Sequence, residues 1–305
     1  MHRNRILITF ILFFFLTGCL PDPPSETATA SPTRLANEKP TATQVPGSTP
    51  TSTIPSPTRT STPAFTPPPT TTPTSTVLVT VNPGEIGIPV LLYHHISAGA
   101  EGQEAYFVPP DIFRQQMTRL KDWGYTPILI SDAVDLLHHG GMIPLHPIII
   151  TFDDGDLDVY QNAYPILKEF GFRAVFYIVV RSIDAPGQVT QEDLLDLAAS
   201  GWEIGSHSYT HPDLNKLKDL QKEVCESRLA LEKLIHLPVN SFAYPYGLAD
   251  DFVRHYVRDC GYSSGAGLGS AANNSLQNIY YFPRLPVEGK WTLDEFSSHL
   301  PWKSP

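Results

Sequence analysis

The chain has 305 residues, with 21 Lys and Arg set against 31 Asp and Glu, a formal net charge of −10. That balance offers no basic surface for nucleic acid or for anionic lipid headgroups. Three cysteines in this length exclude a disulfide framework as the basis of the fold.

At the start, Arg3 and Arg5 flank the apolar run "ILITFILFFFL" (6–16). Its length suits the core of a signal peptide and falls short of the roughly 20 residues that a transmembrane helix needs. Leu16-Thr17-Gly18-Cys19 follows and resembles the lipobox of bacterial lipoproteins, in which the Cys is diacylated and becomes the mature N-terminus. The expectation is a signal peptide over 1–18, lipid anchorage through Cys19, and an extracytoplasmic site of action on the bacterial cell membrane. Residues 19–82 are Pro, Thr and Ser with almost no aliphatic run, a composition unable to offset its own ordering entropy. This stretch is read as a disordered linker with a reach on the order of 100 Å or more.

Residues 84–305 have ample length for one domain with a single core. "IPVLLYHHI" (88–96) reads as a strand ending in His94 and His95. "DIFRQQMTRLKDWG" (111–124) has an Asp cap, helical apolar spacing and a closing Gly. "YTPILI" (125–130) reads as a strand, "SDAVDLLHHGG" (131–141) as a capped helix, and "HPIIITF" (146–152) as a strand running into Asp153-Asp154. A helix interrupted by Pro165 (158–171), a strand (172–179), a capped helix (190–201) and a strand ending in His207 (202–207) come next. A long amphipathic helix (217–235), the strand "SFAYPYG" (241–247) and a helix (249–261) complete the pattern. Repeated strand–helix units imply a parallel sheet covered by helices, as a barrel or a doubly wound sheet. In a parallel barrel the functional groups collect at the strand C-termini, where His94-His95, Asp153-Asp154, His207 and Tyr244–Tyr246 all fall.

Adjacent carboxylates at the end of a buried strand repel each other and need compensation by a cation or by solvent. His207 and His211 are four apart, so on a helical turn both imidazoles would point the same way. Two neutral imidazoles and one carboxylate make a facial metal-binding set with open positions. Cys225 and Cys260 remain as a pair with no pairing implied by spacing.

"TFDDG" (151–155), "SHSYTH" (206–211) and "FAYPYG" (242–247) resemble, in order and spacing, three motifs of the polysaccharide deacetylases, the NodB-homology enzymes of carbohydrate esterase family 4. "IPVLLYHHI" and "YYFPRLPV" (280–287) are similar to flanking segments of a subgroup, so the resemblance spans 88–287. It implies an α/β fold, a distorted (β/α)7 barrel of the glycoside hydrolase/deacetylase type. It also implies a divalent metal, usually zinc with cobalt, nickel or manganese as alternatives, and removal of N-acetyl groups from a GlcNAc-containing glycan by a monomeric enzyme. Carried over by residue, Asp153 is the general base, Asp154, His207 and His211 hold the metal, and the backbone N–H of Tyr246 stabilises the oxyanion. Thr151 and Ser208 position the loops.

Two departures stand out. The Arg usual in the third motif is replaced by Ala243, which makes Arg284 in "FPRLP" the candidate guanidinium. The usual C-terminal Leu-x-His segment has no clear match, so His94 is the candidate general acid, with His95 as its rival and His299 set aside. Tyr93, Tyr209, Tyr244, Tyr246 and Trp202 are candidates to pave a sugar groove, and Asp156 and Asp158 to cap the next helix. Two other readings stand beside this one. The first is a catalytically inactive carbohydrate-binding relative. The second is a metallopeptidase, disfavoured because there is no HExxH helix.

Overall fold

A computed structural model describes residues 76–99 and 102–304. The expected signal peptide, Cys19 and most of the expected linker lie outside the described residues.

Twelve strands and seven helices follow in order. β1 (Leu78–Val81), β2 (Glu85–Gly87) and β3 (Val90–Tyr93) lead into α1 (Pro110–Asp122) and β4 (Tyr125–Pro127). Then come α2 (Ile130–His139), β5 (Gly141–Pro144), β6 (His146–Phe152), α3 (Tyr164–Phe170), β7 (Val175–Ile178) and α4 (Gln191–Ala199). β8 (Glu203–Ser206), α5 (Ser227–Ile235), β9 (Ser241–Ala243) and α6 (Asp251–Asp259) continue the alternation. β10 (Ser264–Ala266), β11 (Asn273–Ser275), β12 (Leu285–Pro286) and α7 (Leu293–Ser298) end it.

The main sheet is parallel, in the order β10-β9-β8-β7-β6-β3-β12, with β4 also paired to β6. It curls until its ends meet through one segment. Phe282 bridges Ala266 in parallel, and three residues later Leu285 and Pro286 pair with Leu91 and Leu92. The short strand that carries Arg284 therefore closes the ring.

Strand alternation sorts the side chains into two cores. Leu91, Tyr93, Ile148, Ile150, Phe152, Phe176, Ile178, Ile204 and Phe242 face outward and pack under the helices. Val90, Ile149, Val175, Tyr177, Ala243, Ala266 and Phe282 face inward and share a cluster with the buried side of α2. The helices supply matching stripes: α1 buries Phe113, Gln116, Met117 and Leu120, spaced at three, four and seven residues. α4 starts in a capping box in which Thr190 accepts from Asp193 N–H and the Asp193 carboxylate accepts from Thr190 N–H.

Several sequence boundaries shift. The linker read through residue 82 ends earlier, because β1 pairs antiparallel with β5. The strand read over 125–130 stops at Pro127, and Ile130 opens α2 instead. The long helix read over 217–235 is a π-helical stretch Gln221–Glu226 followed by α5. The interruption expected at Pro165 takes the form of a change of helix type: the π-helical stretch Val159–Ala163 runs directly into α3, whose second residue is Pro165. Strands of two or three residues such as β10 to β12 carry too little apolar periodicity to be read from sequence.

Cys225, in the π-helical stretch, is bonded to Cys260 at the end of α6, with Cα atoms 5.0 Å apart. The bridge closes a loop of sequence separation 35, which by chain entropy is worth about 4 kcal/mol. Replacing both cysteines with Ser should lower unfolding stability by about that amount in denaturant titrations. An unchanged midpoint would show that the bridge contributes nothing.

Candidate active site

Following the alternation of β6 past its end accounts for the first acid. Ile149 and Thr151 point into the barrel, and Asp153 is the next inward position. Arg284 meets it there from the closing segment. Its Nη1 donates to Asp153 Oδ1 (2.6 Å) and its Nη2 to Oδ2 (2.8 Å), a two-pronged pair with both residues buried. Arg284 Nε donates to Gly267 O (3.1 Å), and Thr151 Oγ1, 3.4 Å from Nη1, donates in turn to Leu91 O (2.8 Å). Burial pushes the Asp153 carboxyl up, but the charge of Arg284 and its hydrogen bonds outweigh it. The net result is a pKa lowered to about 2.

Asp154 escapes the alternation. On a continued strand it would point outward into the helical layer. Instead it takes φ 73°, a left-handed conformation that brings its carboxylate back toward the barrel mouth. Gly155 (φ 91°) completes the turn. The two neighbouring acids thus end in different surroundings.

His207, the first residue past β8, is buried. Its Nδ1 lies 2.8 Å from the carbonyl of Ala243. A carbonyl only accepts, so Nδ1 carries the proton and Nε2 presents a lone pair. His211 lies four residues on, but the segment between is not helical. Ser208 (φ 68°) and His211 (φ 63°) are both left-handed, and Ser208 Oγ accepts from His211 N–H (2.8 Å). This corrects the helical placement expected from the spacing and gives Ser208 a defined positioning role in the loop. His211 Nε2 lies 3.2 Å from His207 Nε2, and Asp154 Oδ1 lies 3.5 Å and 3.4 Å from those two nitrogens.

These three atoms form a nearly equilateral triangle. Ligands 2.0–2.1 Å from a tetrahedral ion would be about 3.3–3.4 Å apart, so the triangle fits one divalent cation of zinc size. The donor chemistry agrees, since two imidazole lone pairs and a carboxylate oxygen repel one another until a cation lies between them. Asp154, His207 and His211 are therefore the residues able to hold a metal.

The cleft above the triangle has a volume of ≈ 450 Å³. His94 lines it, and burial holds its imidazole below the usual pKa against the pull of Asp153 and Asp154. His95 does something else. Its Nδ1 is 3.1 Å from Asp158 and its Nε2 3.4 Å from Asp156, while its ring stacks on Phe107 at 4.0 Å. With both nitrogens engaged it is a strut. Asp156 and Asp158, expected as helix caps, hold this histidine instead. Asp158 also accepts from Ser97 Oγ (2.6 Å), and no side-chain cap is made at the helix start.

Tyr246 (φ 59°, ψ 8°) lies at the cleft, with its ring edge-on to His211 at 4.7 Å. Of the other aromatic candidates for a sugar groove, Tyr93, Tyr244 and Trp202 belong to the core. Tyr93 OH donates to Gln116 and Tyr244 OH to Tyr280 O. Tyr209 does not line the cleft. Tyr106, absent from the sequence reading, does line it. It is 56 % exposed and edge-on to His94 at 5.2 Å. It sits on an irregular loop with no periodicity, so no sequence signal separated it from other loop aromatics. His299 stacks on Trp291, away from the cleft.

Comparison with known proteins follows the same lines. Residues 144–265 match the family model for polysaccharide deacetylase. The polysaccharide deacetylase candidate YxkH of Bacillus subtilis is 29% identical over 215 residues, 70% of this chain and 76% of that protein. The poly-β-1,6-N-acetyl-D-glucosamine N-deacetylase of Staphylococcus aureus is 28% identical over 180 residues, 52% of this chain and 59% of its own length. Among solved structures, a polysaccharide deacetylase candidate from Bacillus anthracis superposes with a TM-score of 0.65 at 30% identity, covering 71% of this chain and 69% of that one.

Metal analysis of variants tests the division between the acids. His207→Ala and Asp154→Ala should each reduce bound divalent metal at least tenfold, whereas Asp153→Asn should keep it. Arg284→Ala strands a buried carboxylate and should cost roughly 3–5 kcal/mol in denaturant unfolding.

Proposed function

The chain belongs to the polysaccharide deacetylase family, and from that premise we propose that it removes N-acetyl groups from a GlcNAc-containing glycan of the cell envelope, releasing acetate with the help of a divalent metal, zinc first. One observation carries this reading. Asp153 and Asp154 are neighbours in sequence, yet one lies in the fork of Arg284 and the other in a triangle with two histidines.

Asp154, His207 and His211 would hold the divalent ion, which would supply Lewis-acid polarisation of the amide carbonyl and acidify the attacking water. Asp153 is charged at neutral pH and aimed by Arg284, so it takes the proton of that water. The Arg284 charge keeps it ionised against burial, so it is free to accept that proton. His94 returns a proton to the departing nitrogen. It must be protonated when substrate is bound, and the charges of Asp153 and Asp154 act in that direction against burial. The N–H of Tyr246, in its left-handed turn, is the proposed backbone donor to the oxyanion. Tyr106 and Tyr246, both exposed at the mouth, are the faces on which sugar rings stack.

The substrate class follows the name of the Staphylococcus aureus relative, of which the chain spans 59%. An extracytoplasmic, lipid-anchored location through Cys19, with 1–18 as signal peptide and a Pro/Thr/Ser-rich stalk, is part of the same proposal. The Cys225–Cys260 bridge supports it, because such bonds persist in oxidising compartments. The reading of an inactive glycan-binding relative rested on the Ala at position 243 and on the lack of a clear general acid; the guanidinium on Asp153 weakens the first ground.

Acetate release from N-acetylglucosamine oligomers is the direct assay. Chelation should abolish it and added zinc restore it, with Asp153→Asn at least a thousandfold slower. Tyr106→Ala should raise KM about tenfold with little change in kcat. No acetate from any β-linked GlcNAc polymer, with metal bound, would overturn the proposal.

A further inference from the structure

The pair that aims Asp153 has a support that the chemistry above does not use. The guanidinium of Arg284 is held in its own plane by donors to Asp153 and to Gly267 O. In-plane hydrogen bonds leave the tilt of a flat group undetermined, and what fixes tilt is whatever packs on its faces. Tyr177 does so: the Arg284 guanidinium carbon lies over its ring at 5.3 Å, within range of a cation–π contact.

Tyr177 is fully buried on the inward side of β7, where its hydroxyl reaches toward Ser241 without closing a full hydrogen bond. A hydroxyl so weakly partnered is a cost on burial, which leaves the ring as the part that packs on Arg284. Room for the ring is made across the ladder. Tyr177 pairs with Gly205 of β8, and a Cβ on Gly205 would run into the Tyr177 ring and come within 2.9 Å of Ser241 Oγ. Gly205 has no positive φ, so its lack of a side chain is required by space and not by backbone conformation.

We propose that the Tyr177 ring, admitted by Gly205, is the floor that sets the tilt of Arg284 and through it the aim of Asp153. Tyr177 is thus a positioning residue for the deacetylation reaction. The inference rests on the role of Asp153 given above, and it adds residues from two strands that touch neither metal nor substrate. The ring face offers negative quadrupole to a charge with no water around it, which is where such contacts are strongest.

The test uses the full-length protein and two readouts. In acetate release, Tyr177→Leu should lower kcat about tenfold or more while KM stays within about twofold, with metal content and fold unchanged. Tyr177→Phe, which keeps the ring, should restore most of that loss. Gly205→Ala, which displaces the ring without removing it, should reproduce the kcat loss and serves if the Leu variant does not fold. Independently of activity, NMR of the Arg284 Nε–H should show slow exchange and a ring-current shift in the wild type and the Phe variant. Both should be lost in the Leu or Ala variants. Failure of the Phe variant to restore kcat, or an Arg284 signal that ignores all three substitutions, would overturn the proposal. If the wild type released no acetate from any glycan, the functional reading would fall while the Arg284 signal still decided this one.

Discussion

A buried two-pronged ion pair between Asp153 and Arg284 organises the mouth of this barrel. Leaving either charge alone in that position would cost several kcal/mol, so each residue obliges the other. The obligation runs across the closure of the ring. Asp153 ends the central strand β6, and Arg284 belongs to the segment that joins β10 to β3, 131 residues away in the chain. Closing the barrel and assembling the site are one event. The same pair explains how a carboxylate can lie among apolar strands and stay ionised.

Around that pair the backbone is forced into uncommon shapes. Of the six non-glycine residues with positive φ among the described residues, Asp154, His211 and Tyr246 line the cleft and Ser208 lies in the loop between its two histidines. Such conformations cost of order 1–3 kcal/mol each and persist where the surroundings over-determine them. Here each has an identifiable effect. Asp154 turns its carboxylate away from the helical layer, Ser208 and His211 fold back so that two imidazole nitrogens meet, and Tyr246 presents its turn to the mouth.

The division of labour between neighbouring acids is thus geometrical before it is chemical. Strand alternation sends Asp153 inward to a guanidinium, and a left-handed turn sends Asp154 to two histidines. His94 and His95 show the same logic in reverse. Both line the cleft, but His95 is locked between two carboxylates and a phenyl ring while His94 meets Tyr106 edge-on. Adjacent identical residues acquire different roles because different neighbours meet them.

Much of this was legible in the sequence. Alternating strand and helix patterns gave the parallel architecture, and polar clusters at strand ends pointed to Asp153-Asp154, His207-His211 and His94, because periodicity and motif spacing are local properties. Which residues meet across the barrel was not local. The fork of Arg284 on Asp153 was anticipated only through the resemblance, which left a guanidinium to be found once Ala243 stood in its usual place. The removal of Tyr93, Tyr244 and Trp202 to the core, the arrival of Tyr106 at the mouth and the engagement of His95 by Asp156 and Asp158 depend on strand order and on single turns with positive φ. Residue spacing carries no record of either. The sequence by itself determined the kinds of groups and the strand ends that bear them; the tertiary structure decided their pairings, because only ring closure brings distant strand ends within a hydrogen bond of one another.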